Sequence, residues 1–174
     1  MKSSTLSPNL HQAGRTPVVL SPIGEIRTPF LHVEGMPIQT IYAQDAEGVV
    51  DVFPEFAAGL ADLEGFERLW LLYHLHGTRS TELTVYPFLD SAERGVFATR
   101  APVRPNHLGL SAVRLVRIEG SRIHVAGVDM LNGTPLIDIK PYVPAFDSHT
   151  TARTGWYEGR CSANIAADNR FIGP

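Results

Sequence analysis

Two turn-rich segments hold most of the residues in this chain whose types and spacing suit chemistry. Residues 100–111 read RAPVRPNHLGLS and residues 129–142 read DMLNGTPLIDIKPY. Structural turns account for their glycines and prolines: Pro105 fixes φ, Gly109 permits close backbone approach, and Asn132-Gly133 supplies the positive φ of a tight loop. Turns do not account for Arg100, Arg104 and Asn106 beside one cluster, or for Asp129, Asn132, Asp138 and Lys140 beside the other. A small polar ligand held by backbone groups and a few side chains accounts for both. Asn132-Gly133-Thr134 also matches a glycosylation acceptor, but in a chain without a signal peptide it reads as a turn.

Other chemistry is weaker. No GxxxxGK(S/T) loop is present to cradle phosphate, and no GxGxxG follows a strand. Gly109-Leu110-Ser111-Ala112-Val113 begins like a nucleophile elbow, yet Val113 stands where the last glycine should be, so Ser111 reads as a turn or strand-start serine. His74 and His76 are two apart, which on a strand puts both on one face. His107 could add a third metal ligand. No Asp or Glu is placed by sequence to complete such a site, so no metal is expected and His76 reads as a ligand contact or strand-end cap. Cys161 is the only cysteine, which excludes a disulfide within the chain and argues against a thiolate zinc site.

The elements that must position these residues read as short strands. Residues 18–27 form a first strand interrupted by Pro22 and Gly24, the mark of an edge or bulge. A loop over 28–39 follows, then strand-like runs at 40–43 and 48–53. Residues 55–63 read as a short helix with Phe56, Leu60 and Leu63 on one face and Glu55 at its positive end. Residues 66–76, FERLWLLYHLH, are the most hydrophobic segment, and their aromatics favour a buried strand over a helix. Residues 83–89 and 95–99 are further strands. A hairpin joins 112–119 to 122–128 across Gly120-Ser121, and 136–139 is a last strand. Beyond residue 147 the chain turns polar and irregular. Many short strands with one short helix imply a mainly antiparallel barrel or sandwich.

A chain of 174 residues that is 44% hydrophobic carries a single core. No apolar run is long enough for a transmembrane helix. Residues 1–17 lack the apolar core of a signal peptide, so they read as a flexible leader on a cytoplasmic protein. Net charge is -3, which excludes a polybasic nucleic-acid binder. The charge is uneven. Residues 94–142 hold seven of the 15 Lys and Arg but three of the 18 Asp and Glu, a basic centre that suits an anionic or RNA partner, or else exposed Arg on strand faces.

GVFATRAPVRPNHLGLS and DMLNGTPLIDIKPYVPAFD resemble the two signature segments of the TsaA-like family. Its characterised members, the TrmO group, are S-adenosylmethionine-dependent methyltransferases acting on N6 of threonylcarbamoyladenosine beside the tRNA anticodon. Upstream, IGEIRTPF is similar to the family's opening strand, residues 35–39 to a loop that often reads Pro-Arg-Gln, and residues 63–76 to its aromatic strand. The resemblance covers residues 18–147, leaving the leader and a C-terminal extension, 148–174. It implies a mainly β fold, a small antiparallel β-barrel with one short helix and irregular termini. It further implies a homodimer that binds S-adenosylmethionine beside the signature loops and takes the tRNA anticodon loop as partner. Carried over by position, the cofactor contacts are Pro37, Ile38, Gln39, Leu75 and His76, then Arg100 and Leu110, then Asp129, Met130, Leu131 and Asn132. Arg104, Asn106, Lys140 and Tyr142 are motif positions assigned to the substrate side.

Three departures bear on the acceptor. Ile38 stands where Arg is usual, Asn132 stands where Asp is commoner, and residues 148–174 are too short for the extra C-terminal domain that several members carry. A methyltransferase for another acceptor and a non-catalytic S-adenosylmethionine-binding module therefore stand beside the tRNA reading. The modified base would bring a carboxylate for Arg100, Arg104 or Lys140 to hold. No side chain is an obvious base for the departing N6 proton.

Overall fold

Alternation of apolar and polar residues builds the architecture. In the computed structural model, which describes residues 16–43, 45–150, 153–160 and 166–168, there are eight strands among the described residues. They are β1 (Gly24–Arg27), β2 (Glu47–Val52), β3 (Arg68–His74), β4 (Thr84–Val85), β5 (Arg94–Gly95), β6 (Leu108–Glu119), β7 (Arg122–Ala126) and β8 (Thr134–Pro141). Six close into a barrel in the order β1-β2-β7-β6-β3-β8, with every pairing antiparallel. β4 and β5 form a separate two-stranded ribbon. Closure pairs both edges of each barrel strand, so no barrel edge is left open. Most of the 1–17 leader and Cys161 lie outside the described residues.

β3 shows how the pattern works. Leu69, Leu71 and Tyr73 point inward and are buried, while Arg68, Trp70, Leu72 and His74 face out. Inward Leu69 and Leu71 pack with Ile26, Val50, Val113, Ile123, Val125 and Leu136 in one cluster. A smaller cluster of Val85, Val96 and Val103 sits under the β4–β5 ribbon.

Several expected elements differ. The first strand starts at Gly24, beyond Pro22, so residues 18–23 lie outside it. Residues 40–43 hold a 3-10 turn, Thr40–Tyr42, instead of a strand. The expected helix over 55–63 is a 3-10 helix, Pro54–Leu60, followed by a separate turn, Leu63–Gly65. Asp62, in the left-handed region at φ 65, breaks the two apart. The strand at 83–89 shrinks to β4 because Pro87 has no N–H to donate. Residues 96–98 coil into a 3-10 turn closed by the Thr99 hydroxyl donating to the Val96 carbonyl (2.8 Å). The α-helix instead falls at Pro144–Asp147, where Pro opens the first turn.

Residues 166 and 167 are held. Ala166 bridges to Pro37, the Ala167 N–H donates to the Met36 carbonyl (2.7 Å), and the Gly35 N–H donates to the Ala167 carbonyl (3.1 Å). Ala166 and Ala167 therefore brace the loop that leads to Gln39.

Candidate functional site

One end of the barrel, where β3 and β7 finish and β8 begins, gathers the polar residues. A buried chain of hydrogen bonds runs through the barrel interior towards it. The Tyr73 hydroxyl lies 2.9 Å from Ser111 Oγ, which donates to Asp129 Oδ1 at 2.6 Å. Since the Ser111 proton goes to Asp129, Tyr73 is the donor to Ser111. Gly109 makes this possible: a Cβ there would run into the Tyr73 ring. Ser111 is thus an inward strand serine, not a nucleophile on an elbow.

Asp129 is nearly buried, and burial pushes its carboxyl up to about 6. The Ser111 hydroxyl, its own N–H, the Arg100 guanidinium and the Thr40 N–H pull the other way. Burial, and then the Asp129 charge, drives the Tyr73 hydroxyl far above its ordinary range. Tyr73 therefore stays a neutral donor. Arg100 in turn donates to Gln39 Oε1 (2.6 Å), and the Gln39 amide nitrogen donates to the Ile38 carbonyl (2.6 Å).

The residues after Asp129 are clasped by the segment that follows β1. The Thr28 hydroxyl donates to the Met130 carbonyl (2.9 Å) and the Thr28 N–H to Asn132 Oδ1 (3.1 Å). Asn132 N–H donates to the Phe30 carbonyl (2.8 Å). The Thr134 hydroxyl donates to the Leu131 carbonyl (2.7 Å), so in its 3.3 Å contact with His76 Nδ1 the histidine is the donor. Partial burial, then the neighbouring His74, lowers the His76 pKa, which keeps the ring neutral.

Beside Gln39 and Arg100 opens a pocket of about 500 Å3, walled by residues 38–42, 85–89 and 99–102 with Thr154, Trp156 and Tyr157. A small cleft nearby is lined by Leu75, His76, Met130, Leu131 and Thr134. Of the residues named from sequence, Ile38, Gln39 and Arg100 line the pocket, and Leu75, His76, Met130 and Leu131 line the cleft. Asp129 neighbours both Arg100 and Thr40, which line the pocket. Asn132 spends its side-chain oxygen on Thr28, and Pro37 bridges to Ala166.

The others are elsewhere. Arg104 is turned onto the carbonyls of Thr99 (2.9 Å), Ala101 (3.3 Å) and Val96 (3.4 Å), where it fastens the turn that carries Arg100. Asn106 lies on an exposed turn. Leu110, Lys140 and Tyr142 share the outer face of β6, β3 and β8: Leu110 pairs with Leu72, Lys140 with Trp70, and the Tyr142 ring packs tilted against Trp70 with centroids 5.5 Å apart. Roughly 13 Å of strand rise separates Trp70 from His74 at the site end of β3.

The histidines do not form the cluster their spacing suggested. β3 ends at His74 and the chain turns at once, with the His76 N–H donating to the His74 carbonyl (2.8 Å), so the two do not share a strand face. The His107 ring stands 6.4 Å from the His74 ring, with Nε2 on the Ser80 carbonyl at 3.1 Å. Among the described residues no group of three His, Cys, Asp or Glu is placed to hold a metal ion. Nor is any helix there long and apolar enough to cross a membrane.

Sequence reasoning did not place Tyr73, Thr28, Tyr86 or Phe88 at the site, read Ser111 as a turn or strand-start serine, and left open whether Trp156 and Tyr157 fold back over it. Ser111 had one usable signal, a lone polar residue at an inward position of an otherwise apolar strand.

The chain is similar to proteins already known. The family model described as tRNA-methyltransferase O N-terminal domain matches residues 25–148. A protein of Pyrococcus abyssi described as a probable S-adenosyl-L-methionine-binding protein is 50% identical over 137 residues, covering 79% of this chain and 74% of that protein. The human tRNA (adenine(37)-N6)-methyltransferase is 35% identical over 138 residues, 75% of this chain but 31% of the human protein. The crystal structure of TrmO from P. aeruginosa superposes with a TM-score of 0.71 at 37% identity, covering 84% of this chain and 64% of that one. The match spans most of this chain, and the chain belongs to the tRNA-methyltransferase O family.

Proposed function

We propose that this protein methylates N6 of threonylcarbamoyladenosine next to the anticodon of tRNA, with S-adenosylmethionine as donor. One observation carries the reading: a buried Asp129 carboxylate whose neighbours, Arg100 and Thr40, line a pocket of about 500 Å3. The residues fit such a cofactor. Asp129 can face its cationic groups, Arg100 its carboxylate, and the aliphatic lining of Ile38 and Ile41 its purine. Bound there, S-adenosylmethionine supplies an electrophilic methyl group. The chain contributes orientation of the acceptor; N6 there is a urea-type nitrogen, so it must also lose its proton as it takes the methyl, and with no obvious base in the pocket lining that proton passes to solvent.

Of the three cations that could hold the carboxylate of the modified base, Arg104 is spent on carbonyls and Lys140 pairs with Asp138 (2.8 Å) on the outer face. Arg100, the third, lines this pocket and is assigned above to the carboxylate of the cofactor, so none of the three is left within one chain for the carboxylate of the modified base. Leu110, Lys140 and Tyr142 would reach a pocket only from a second copy, which supports a homodimer docked through the outer face of β6, β3 and β8. Trp70 and Leu72 lie half-buried on that face and Leu110 is exposed, so it has apolar surface to cover.

The test is mass spectrometry of tRNA nucleosides from a strain lacking the protein. Methylated threonylcarbamoyladenosine should vanish, and purified protein with S-adenosylmethionine should restore it on that tRNA. Failure of both would remove this acceptor. A second reading, another acceptor on the same fold, is favoured by Ile38, which puts an alkyl group in the pocket wall where the family often has Arg. Binding of S-adenosylmethionine without transfer to any tRNA would leave a binding module.

The Asp129 shift gives a pH dependence. If the carboxylate faces a cation on the ligand, it must be ionised, so affinity should hold above about pH 6 and fall roughly tenfold per unit below it. Calorimetry between pH 5 and 8 reads this directly, and a flat profile would detach Asp129 from the ligand. Stability runs the opposite way. The folded pKa is raised from 3.8 to about 6, so the proton stabilises the fold, and this contribution is lost as pH rises through that window.

A further inference from the structure

The pocket has two unlike sides. One carries Gln39 and Arg100, next to Asp129. The other group of lining residues is Tyr86, Phe88, Trp156 and Tyr157, which brings four aromatic rings to the same pocket. Trp156 and Tyr157 lie beyond the residues matched by the family model, 25–148.

Trp156 is fixed in place. Its indole N–H donates to the Ala98 carbonyl (2.7 Å), and its ring stacks on Tyr157 with centroids 3.8 Å apart and planes at 27°. The Arg94 guanidinium stands 5.7 Å from the ring centroid and is itself tied to Asp90 at 2.6 Å. Arg160 donates to the Trp156 carbonyl (2.6 Å). Ala98 lies two residues before Arg100, so the bond ties Trp156 to the stretch of chain that carries Arg100.

We propose that Trp156 and Tyr157 form the acceptor side of this pocket, a wall against which the purine to be methylated is held. The inference rests on the methyltransferase reading above. Charged groups of a cofactor are served by the Arg100 and Asp129 side. The remaining side suits a base splayed out of a single-stranded loop, because rings accept any base face and need no particular hydrogen-bond pattern. Tyr86 and Phe88, from the segment between β4 and β5, face the same space.

The test uses the full chain, bulk tRNA from a strain lacking the protein, and S-adenosylmethionine. Trp156→Ala should raise the KM for tRNA about tenfold or more, the scale of one lost base–aromatic stack, with the calorimetric Kd for S-adenosylmethionine changed by less than about twofold. Trp156→Phe, which keeps a ring but loses the bond to Ala98, should recover most of the tRNA KM. An unchanged KM, or a cofactor Kd that weakens in step with it, overturns the proposal. If the wild type transfers no methyl to this tRNA, it is the reaction proposed above that fails. Direct tRNA binding then decides the wall, because equal affinity in wild type and Trp156→Ala would remove it.

Discussion

Arg100→Ala should weaken S-adenosylmethionine binding by about tenfold to a hundredfold, the range of a lost hydrogen bond to a charged group, while the melting temperature barely moves. Arg100 is exposed and donates a 2.6 Å hydrogen bond to Gln39. Its removal therefore opens no cavity and strands no buried donor. It does remove one influence that holds the Asp129 carboxyl down. The Asp129 pKa should rise further, and the loss of affinity should grow as pH is lowered from 8 towards 6. Arg100→Lys separates charge from shape, restoring the pH profile but not the forked geometry that grips a carboxylate through two parallel bonds. Calorimetry at two pH values on both variants is the measurement, and an unaltered affinity in Arg100→Ala would end its assignment as a ligand contact.

Leu71→Ala should cost about 3–5 kcal/mol of folding free energy. Leu71 is fully buried on β3, paired with Ser111 of β6 on one side and Ile139 of β8 on the other. The side chain fills the middle of the barrel, where two paired flanks leave little room for collapse around a void. That loss is a large part of the 5–15 kcal/mol typical of a whole domain. Urea unfolding by circular dichroism should show the midpoint falling with little change in slope. A loss below about 1 kcal/mol would mean that the interior is far looser than its burial implies.

The barrel was legible because its strands obey a period of two. Leu69, Leu71 and Tyr73 against Trp70 and Leu72 is a pattern that survives folding unchanged, and Gly120-Ser121 marks its hairpin without help from distant residues. What failed was local and short. Residues 40–43 and 95–99 have strand composition, but each is coiled by a contact from elsewhere: Asp129 meets the Thr40 N–H, and Arg104 grips the carbonyls around Thr99. Side-chain direction was likewise hidden. Nothing in the run RAPVRPN tells that Arg100 turns to Gln39 while Arg104 turns back on its own turn. Whether Trp156 and Tyr157 fold back over the site stayed open in the sequence, since the bond from Trp156 to Ala98 joins positions 58 apart. The resemblance to signature segments supplied positions, and only the fold separated those on the pocket from those on the outer face.

The seam that closes the barrel has a consequence in time. β1 lies beside β8, with Gly24 opposite Leu136, and the Thr28 hydroxyl reaches Met130 across 102 positions of sequence. Such long loops must close before their contacts give anything back, which makes this topology slow to assemble. During synthesis β1 emerges early and waits without one of its two partners until β8 has left the ribosome. Until then the strand presents unpaired backbone groups, an attractive edge for chaperones and for other nascent chains. The partners that clasp Asp129 to Asn132, Thr28 and Phe30, lie just beyond β1 and are made about a hundred residues earlier. Closure of the sheet and competence to bind a ligand therefore arrive together, late, in a single step.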